Sequence, residues 1–182
     1  MRILIDMDGV IADLEKGFLR IWQEKYPEKS YISLERRNTH FIVDQYPKEY
    51  KELIQKVMSE KGFFLFLEPV EGSIQAINEL QEMGVEIFIC TVPLAEYKHC
   101  VLEKYEWVEK HLGFEWTRKI ILTTDKTVIK GDYLIDDQPE ILGVEIPSWE
   151  HIIYDLPKNR FENTRKRLSW QNWKNVIPIS RK

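Results

Sequence analysis

Residues 1–13, MRILIDMDGVIAD, decide how the rest of the chain is read. The apolar run Ile3-Leu4-Ile5 stops at Asp6, and a second carboxylate, Asp8, stands two positions further on. Gly9 then permits a tight turn. A strand ending in Asp-x-Asp-Gly sets two acids at the carboxyl edge of a sheet, where α/β proteins bind ligands. Paired carboxylates there can hold Mg²⁺, and one can attack phosphorus while the other handles protons. Asp and Gly also favour plain polar turns. The segment alone leaves both readings open.

Working outward, the same pattern recurs. Short apolar runs at residues 3–5, 85–90, 120–122, 133–135 and 152–154 read as buried parallel strands. Several end in reactive side chains: the second runs into Thr91, the third into Thr123-Thr124-Asp125-Lys126, the fourth into Asp136-Asp137. In a parallel sheet these ends share one edge, so distant residues meet in one crevice. Thr91 could equally cap a helix, Lys126 could be solvated, and Asp136-Asp137 could open a turn. Their joint occurrence at strand ends favours a site. Asp6, Asp8, Asp136 and Asp137 together would repel, which makes a divalent cation a natural partner. Oxygen donors without clustered histidine point to Mg²⁺ rather than Zn²⁺.

Between the strands, Ile74, Ile77, Leu80 and Met83 recur every three residues before Gly84, which predicts a helix over 73–83. A second helix near 94–112 places Tyr97, Val101, Tyr105, Val108 and Leu112 on one stripe, closed by Gly113. The expected fold is therefore α/β, a doubly wound, Rossmann-like parallel sheet. Leu14, Phe18, Ile21 and Trp22 keep helical spacing, as do Leu53, Ile54, Val57 and Met58, with Pro47 suited to the second helix's entry. Residues 36–46 between them read as irregular. Residues 16–68 are expected to form a small helical cap inserted after the first strand, on a core of residues 1–15 and 69–182.

The chain of 182 residues is long enough for one domain with an insertion. With 43% hydrophobic and 31% charged residues, it is expected to be globular rather than disordered. A net charge of −4 does not favour a nucleic-acid polymer as partner, and the run Arg165-Lys166-Arg167 reads as a solvated face. No apolar stretch approaches the ~20 residues that span a bilayer. The first strand begins almost at once, which leaves no room for a signal peptide and predicts a cytoplasmic protein. Cys90 and Cys100 show neither metal nor disulfide spacing. Trp107, Trp116, Trp149, Trp170 and Trp173 read as packing residues, and His99, His111 and His151 as surface or structural ones.

The order of DxDG, Thr after a strand, Lys, and Asp-Asp after a strand resembles the haloacid dehalogenase-type (HAD) phosphohydrolases. The segments DMDGVIADLE, GFFLFLEPVEG, FICTVP, KYEWVEKHLG, IILTTDKTVIKGDYLIDD and PSWEHII narrow the resemblance to the 5′(3′)-deoxyribonucleotidases, over nearly the whole chain. The resemblance implies an aspartyl-phosphate formed on Asp6, with Asp8 as general acid and base. It implies Mg²⁺ held by Asp6, the Asp8 backbone carbonyl and Asp137, supported by Asp136, with Thr91 and Lys126 on the phosphoryl group. Homodimers, and a cap that covers the nucleoside, are expected by the same likeness.

On the substrate side the chain departs from the family. Leu14 stands where relatives carry an aromatic, and His40-Phe41-Ile42 where they carry Phe-Trp-Val or Phe-Leu type triplets. Met58 replaces a Trp, Val92 a Ser and Thr124 an Arg, while Ala95-Glu96 lacks a Lys. Leu14, His40, Phe41, Ile42, Met58 and Val92 are the expected substrate-binding residues, and Phe41 sits in the irregular segment where loops carry specificity. The expected substrate is a nucleoside monophosphate, with pyrimidine deoxyribonucleotides first. A HAD-type phosphatase for another small phosphomonoester, or a non-catalytic binding protein on the same fold, is the alternative. Base, sugar and 5′ or 3′ preference stay open.

Overall fold

A computed structural model describes residues 1–179. The strands are β1 (Arg2–Ile5), β2 (Glu86–Thr91), β3 (Ile120–Leu122), β4 (Tyr133–Asp136), β5 (Glu150–Tyr154) and β6 (Arg167–Leu168). They pair in parallel as one sheet of order β3-β2-β1-β4-β5-β6. Ile3, Leu4 and Ile5 are fully buried, as a central strand covered on both faces requires. The chain winds outward from β1 through β2 to β3, then restarts on the other side of β1 with β4. The winding therefore reverses between β1 and β4, and the crevice at such a switch point is where open α/β sheets bind ligands. Ile5 pairs with Ile135, so Asp6 and Asp136 leave the sheet side by side.

The helices are α1 (Leu14–Lys25), α2 (Lys51–Ser59), α3 (Ser73–Glu82), α4 (Tyr97–Leu112) and the short α5 (Trp173–Val176). The five expected strands are present; β6 was not expected. Its Arg167, read as part of a solvated run, donates through Nη1 to the Asn159 and Glu162 carbonyls at 3.2 and 2.8 Å. A two-residue strand carries no periodicity to betray it. The stripe expected for α4 holds at Val108 and Leu112 but misses most of the buried face. Tyr97 is exposed, whereas Cys100, Glu103, Lys104, Trp107 and Val108 are buried. The buried face contains two charged residues, which hid it from a hydrophobic pattern. Met83 at the end of α3 is exposed as well.

Between Asp13 and Glu68 the chain makes a helical excursion. Its ends are fastened by hydrogen bonds from Asp13 N to Glu68 O and from Val70 N to Ile11 O, both 2.8 Å. Asp13 caps α1 by accepting from Lys16 N. Pro47 opens the 3-10 turn Lys48–Tyr50 that leads into α2. Trp22 packs against Phe18, Tyr46 and Tyr50, with ring centroids 5.7, 5.4 and 5.6 Å away, so the excursion has an aromatic centre of its own.

The five tryptophans read as packing residues are all buried. Three also hold loops through their indole N–H groups: Trp107 to Leu67 O, Trp149 to Lys126 O and Trp170 to Val10 O, at 2.8, 3.2 and 2.7 Å. Trp107 thus joins α4 to the returning end of the excursion. Trp107→Ala removes both the packing and that bond, and should cost about 3–5 kcal/mol of stability. The check is the denaturant midpoint, which should fall with the slope unchanged.

Candidate active site

Asp6 continues the line of β1, its N–H donating to Ile135 O at 2.9 Å. The chain then coils tightly, with Val10, Ile11 and Ala12 N–H groups all directed at Met7 O. Gly9 has φ +80°, and a Cβ there would lie 2.1 Å from Asp137 Oδ2. Only glycine fits both the turn and the close approach. On the neighbouring strand, Asp136 accepts from Gln138 N at 2.8 Å. Asn159 Nδ2 holds the Asp137 carbonyl at 2.8 Å. Lys126 is delivered by a 3-10 turn (Lys126–Val128) that Asp125 caps by accepting from Thr127 N at 2.8 Å. Asp125 is therefore a scaffold residue.

All twelve residues singled out from the sequence line one cavity of about 340 Å³. Asp6, Asp8, Thr91, Lys126, Asp136 and Asp137 form its floor at the sheet edge. Leu14, His40, Phe41, Ile42 and Met58 approach from the helical excursion, with Val92 and Leu94 from the loop after β2. Ile42 is buried in the core, whereas Phe41 is 59% exposed, an apolar ring without full cover at the mouth. His40 packs edge-on to Phe41 at 4.8 Å, and its Nδ1 lies 3.8 Å from Asp137 Oδ1. Burial, together with Lys158 and Lys126, pushes the His40 pKa down to about 3, so the ring is neutral.

The carboxylates are not bare, as the repulsion argument assumed. Lys126 Nζ lies 2.8 Å from Asp6 Oδ1 and 2.5 Å from Asp136 Oδ2. Lys104 Nζ, fully buried, lies 2.6 Å from Asp8 Oδ2 and 2.9 Å from Thr91 Oγ1. Lys158 Nζ lies 2.8 Å from Asp137 Oδ2 and 3.2 Å from Glu15 Oε1, and Arg37 Nε pairs with Glu15 Oε2 at 3.0 Å. Five carboxylates thus meet four cations (Lys104, Lys126, Lys158, Arg37). A phosphate dianion entering this balance adds two more negative charges, and a divalent cation offsets them. Oxygens of Asp6, Asp136 and Asp137 lie within 4.8 Å of one another, a buried hard-oxygen set that suits a metal ion.

Burial pushes the Asp6 carboxyl up to about 6 against the pull of Lys126, with Asp136 and Asp8 adding to the rise. Burial raises Asp136 and Asp137 in the same way, opposed by Lys126 and Lys158 respectively. For Lys126, burial acts downward, but Asp6 and Asp136 more than offset it and hold the ammonium charged. A bound cation would stabilise the ionised carboxylates and reverse their shifts.

Lys104, Lys158, Glu15 and Arg37 were missed. Lys158 follows β5 closely, so the strand-end rule that found the other residues could have found it. Glu15 and Arg37 sit in segments that read as ordinary polar helix and loop, and Lys104, though it opens the quoted segment KYEWVEKHLG, carried no sign of its burial. A lysine in the middle of an amphipathic helix normally faces water.

The fold is that of known HAD hydrolases: a HAD family hydrolase from Deinococcus radiodurans, solved with bound phosphate and sodium, superposes with a TM-score of 0.61 at 12% identity, over 94% of this chain and 92% of that one. In sequence, the chain is 45% identical to the human cytosolic-type 5′(3′)-deoxyribonucleotidase, covering 100% of this chain and 95% of the relative. It is 41% identical to the human mitochondrial 5′(3′)-deoxyribonucleotidase, covering 100% and 84%. A family model described as 5′ nucleotidase, deoxy (pyrimidine), cytosolic type C protein matches residues 1–182. The chain belongs to this 5′(3′)-deoxyribonucleotidase family.

Proposed function

We propose that this protein is a Mg²⁺-dependent phosphatase of nucleoside monophosphates, with pyrimidine deoxyribonucleotides as its preferred substrates. The observation that carries the reading is the convergence of Asp6, Asp8, Thr91 and Lys126 beneath an exposed aromatic, Phe41, in one cavity. Asp6 attacks the phosphorus, and the ester bond to the nucleoside oxygen breaks as Asp8 donates a proton to that oxygen. Asp8 then takes a proton from water as the water attacks the aspartyl-phosphate, which releases phosphate and restores Asp6. Lys126 and Thr91 hold the phosphoryl group, and the Lys126 ammonium opposes the upward push of burial on the Asp6 and Asp136 carboxyls. Asp6, Asp137 and the Asp8 carbonyl, with Asp136 beside them, would hold Mg²⁺, which would supply neutralisation of the phosphoryl charge.

Residues 16–68 act as the cap in this reading, covering the nucleoside with Phe41, His40, Ile42, Leu14 and Met58 around the base and Val92 opposite. A cytoplasmic setting belongs to the same proposal, supported by the likeness to a cytosolic-type relative, and so does assembly as a homodimer. Among the described residues no helix is long and apolar enough to cross a membrane. The presence and convergence of Asp6, Asp8 and Lys126 argue against a non-catalytic binding protein.

The direct test is phosphate release from deoxy- and ribonucleoside monophosphates and from sugar phosphates, with Mg²⁺ and with chelator. Deoxyribonucleotides should lead and chelator should abolish turnover; a sugar phosphate in first place would replace the nucleotide reading. Asp6→Asn should remove turnover with the fold intact, because an amide cannot form the acyl-phosphate. Asp8→Asn should lower it by about 10²- to 10⁴-fold.

Stacking on an aromatic is worth roughly 1–3 kcal/mol per base, so Phe41→Ala should lower kcat/KM for a nucleotide by about 5- to 150-fold. A small aryl phosphate should be hardly affected. Equal loss on both substrates would make Phe41 a packing residue.

Lys158→Met leaves Asp137 buried beside no cation, and should destabilise the metal-free protein by about 3 kcal/mol. Mg²⁺ should then raise the melting temperature of the variant more than that of the wild type.

A further inference from the structure

We infer that Lys104 is the positioning residue of Asp8: it anchors Oδ2 of that carboxylate and so presents Oδ1 to the leaving-group oxygen. The inference rests on the hydrolytic reading of Asp8 given above. Lys104 Nζ makes hydrogen bonds to two side chains, Asp8 and Thr91, both of which line the cavity. The side chain is fully buried in the middle of α4. Placing an ammonium there is costly unless a partner compensates it.

The adjacent acid on α4 is not that partner. Glu103 is occupied by the backbone N–H groups of Gly62 and Phe64, at 2.6 and 3.1 Å. The other buried ammonium groups are committed elsewhere, Lys126 to Asp6 and Asp136, Lys158 to Asp137 and Glu15. Lys104 therefore serves Asp8. The Phe64 ring, 5.0 Å from Nζ, closes its apolar side.

With Oδ2 held at 2.6 Å, the second oxygen of Asp8 is buried at the cavity without a hydrogen-bond partner. A carboxylate with one oxygen fixed and the other unengaged has a single orientation for proton transfer. The same ammonium donates to Thr91 Oγ1, which leaves that hydroxyl's own proton free for a phosphoryl oxygen. One buried cation thus sets the direction of the acid and of a phosphate donor together. Losing a charge-assisted bond of this kind corresponds to about a 10- to 150-fold change in rate, if the bond acts in the transition state.

The test uses leaving-group dependence. A phosphate ester of a strongly acidic phenol departs without a proton, whereas one of a weakly acidic phenol needs the general acid. Lys104→Met should lower kcat/KM by about 10- to 150-fold for the weakly acidic end of an aryl phosphate series. At the strongly acidic end the loss should stay within about threefold. The plot of rate against leaving-group acidity therefore steepens. In an Asp8→Asn background the same substitution should cost little more, because the group it positions is already disabled.

Met fills the same space, and thermal melting establishes that the variant is folded; should it fail, Lys104→Gln carries the same comparison. Lys104→Arg, which retains the charge, should recover part of the wild-type slope. An unchanged slope in a variant that still turns over overturns the positioning role and leaves the phosphatase reading intact. Wild-type protein that releases no phosphate from any ester overturns both.

Discussion

The pairing of β1 with β4 at the centre of the sheet brings Asp6 beside Asp136 and Asp137, and much of the remaining architecture answers the charge that this concentrates. Three carboxylates buried at one sheet edge would be intolerable alone. Lys126 and Lys158 reach them directly, Lys104 reaches the neighbouring Asp8, and the loops that bear Lys126 and Lys158 are pinned from behind. Asp125 shapes the turn under Lys126, Trp149 holds the Lys126 carbonyl, and Asn159, next to Lys158, donates to the Asp137 carbonyl. The aromatic packing of the outer layers thus fixes where the charges stand.

The helical excursion is bound to the site through the same currency. Arg37, from its irregular segment, pairs with Glu15 at the start of α1, and Glu15 pairs with Lys158, which pairs with Asp137. Alternating charges run from the excursion to Asp137 on the cavity floor without a break. Buried pairs of this kind contribute little net stability but strongly specify geometry, since any one partner left alone is costly. The apolar residues Leu14, Phe41 and Met58 face the cavity from the same excursion.

Family membership and site geometry bear on different links of the reasoning. The likeness to human 5′(3′)-deoxyribonucleotidases covers the whole chain, so fold and general chemistry follow from it. The lining contributed by the excursion differs in kind from the floor: apolar, partly open, and carrying a neutral histidine where the floor is charged. In the proposed function, substrate choice rests on that upper half, through side-chain size and stacking.

The sequence by itself determined the sheet and the floor of the site. Strand ends in a parallel sheet share an edge, so Asp6, Thr91, Lys126 and Asp136-Asp137 could be assembled from one-dimensional spacing. Periodicity also located α1, α2 and α3. The reading failed where polar residues are buried. The inward face of α4 carries Glu103 and Lys104, so an apolar stripe caught only its edge at Val108 and Leu112, and β6 was too short to show alternation. Only the tertiary structure decided that Lys104 and Lys158 turn inward, because a buried cation is defined by partners distant in sequence. Asp8 lies 96 positions from Lys104, and Lys158 joins two acids, Asp137 and Glu15, that stand far apart in sequence. Local spacing encodes which residues can share a face, whereas the pairing of charges across elements is settled only when the core closes around them.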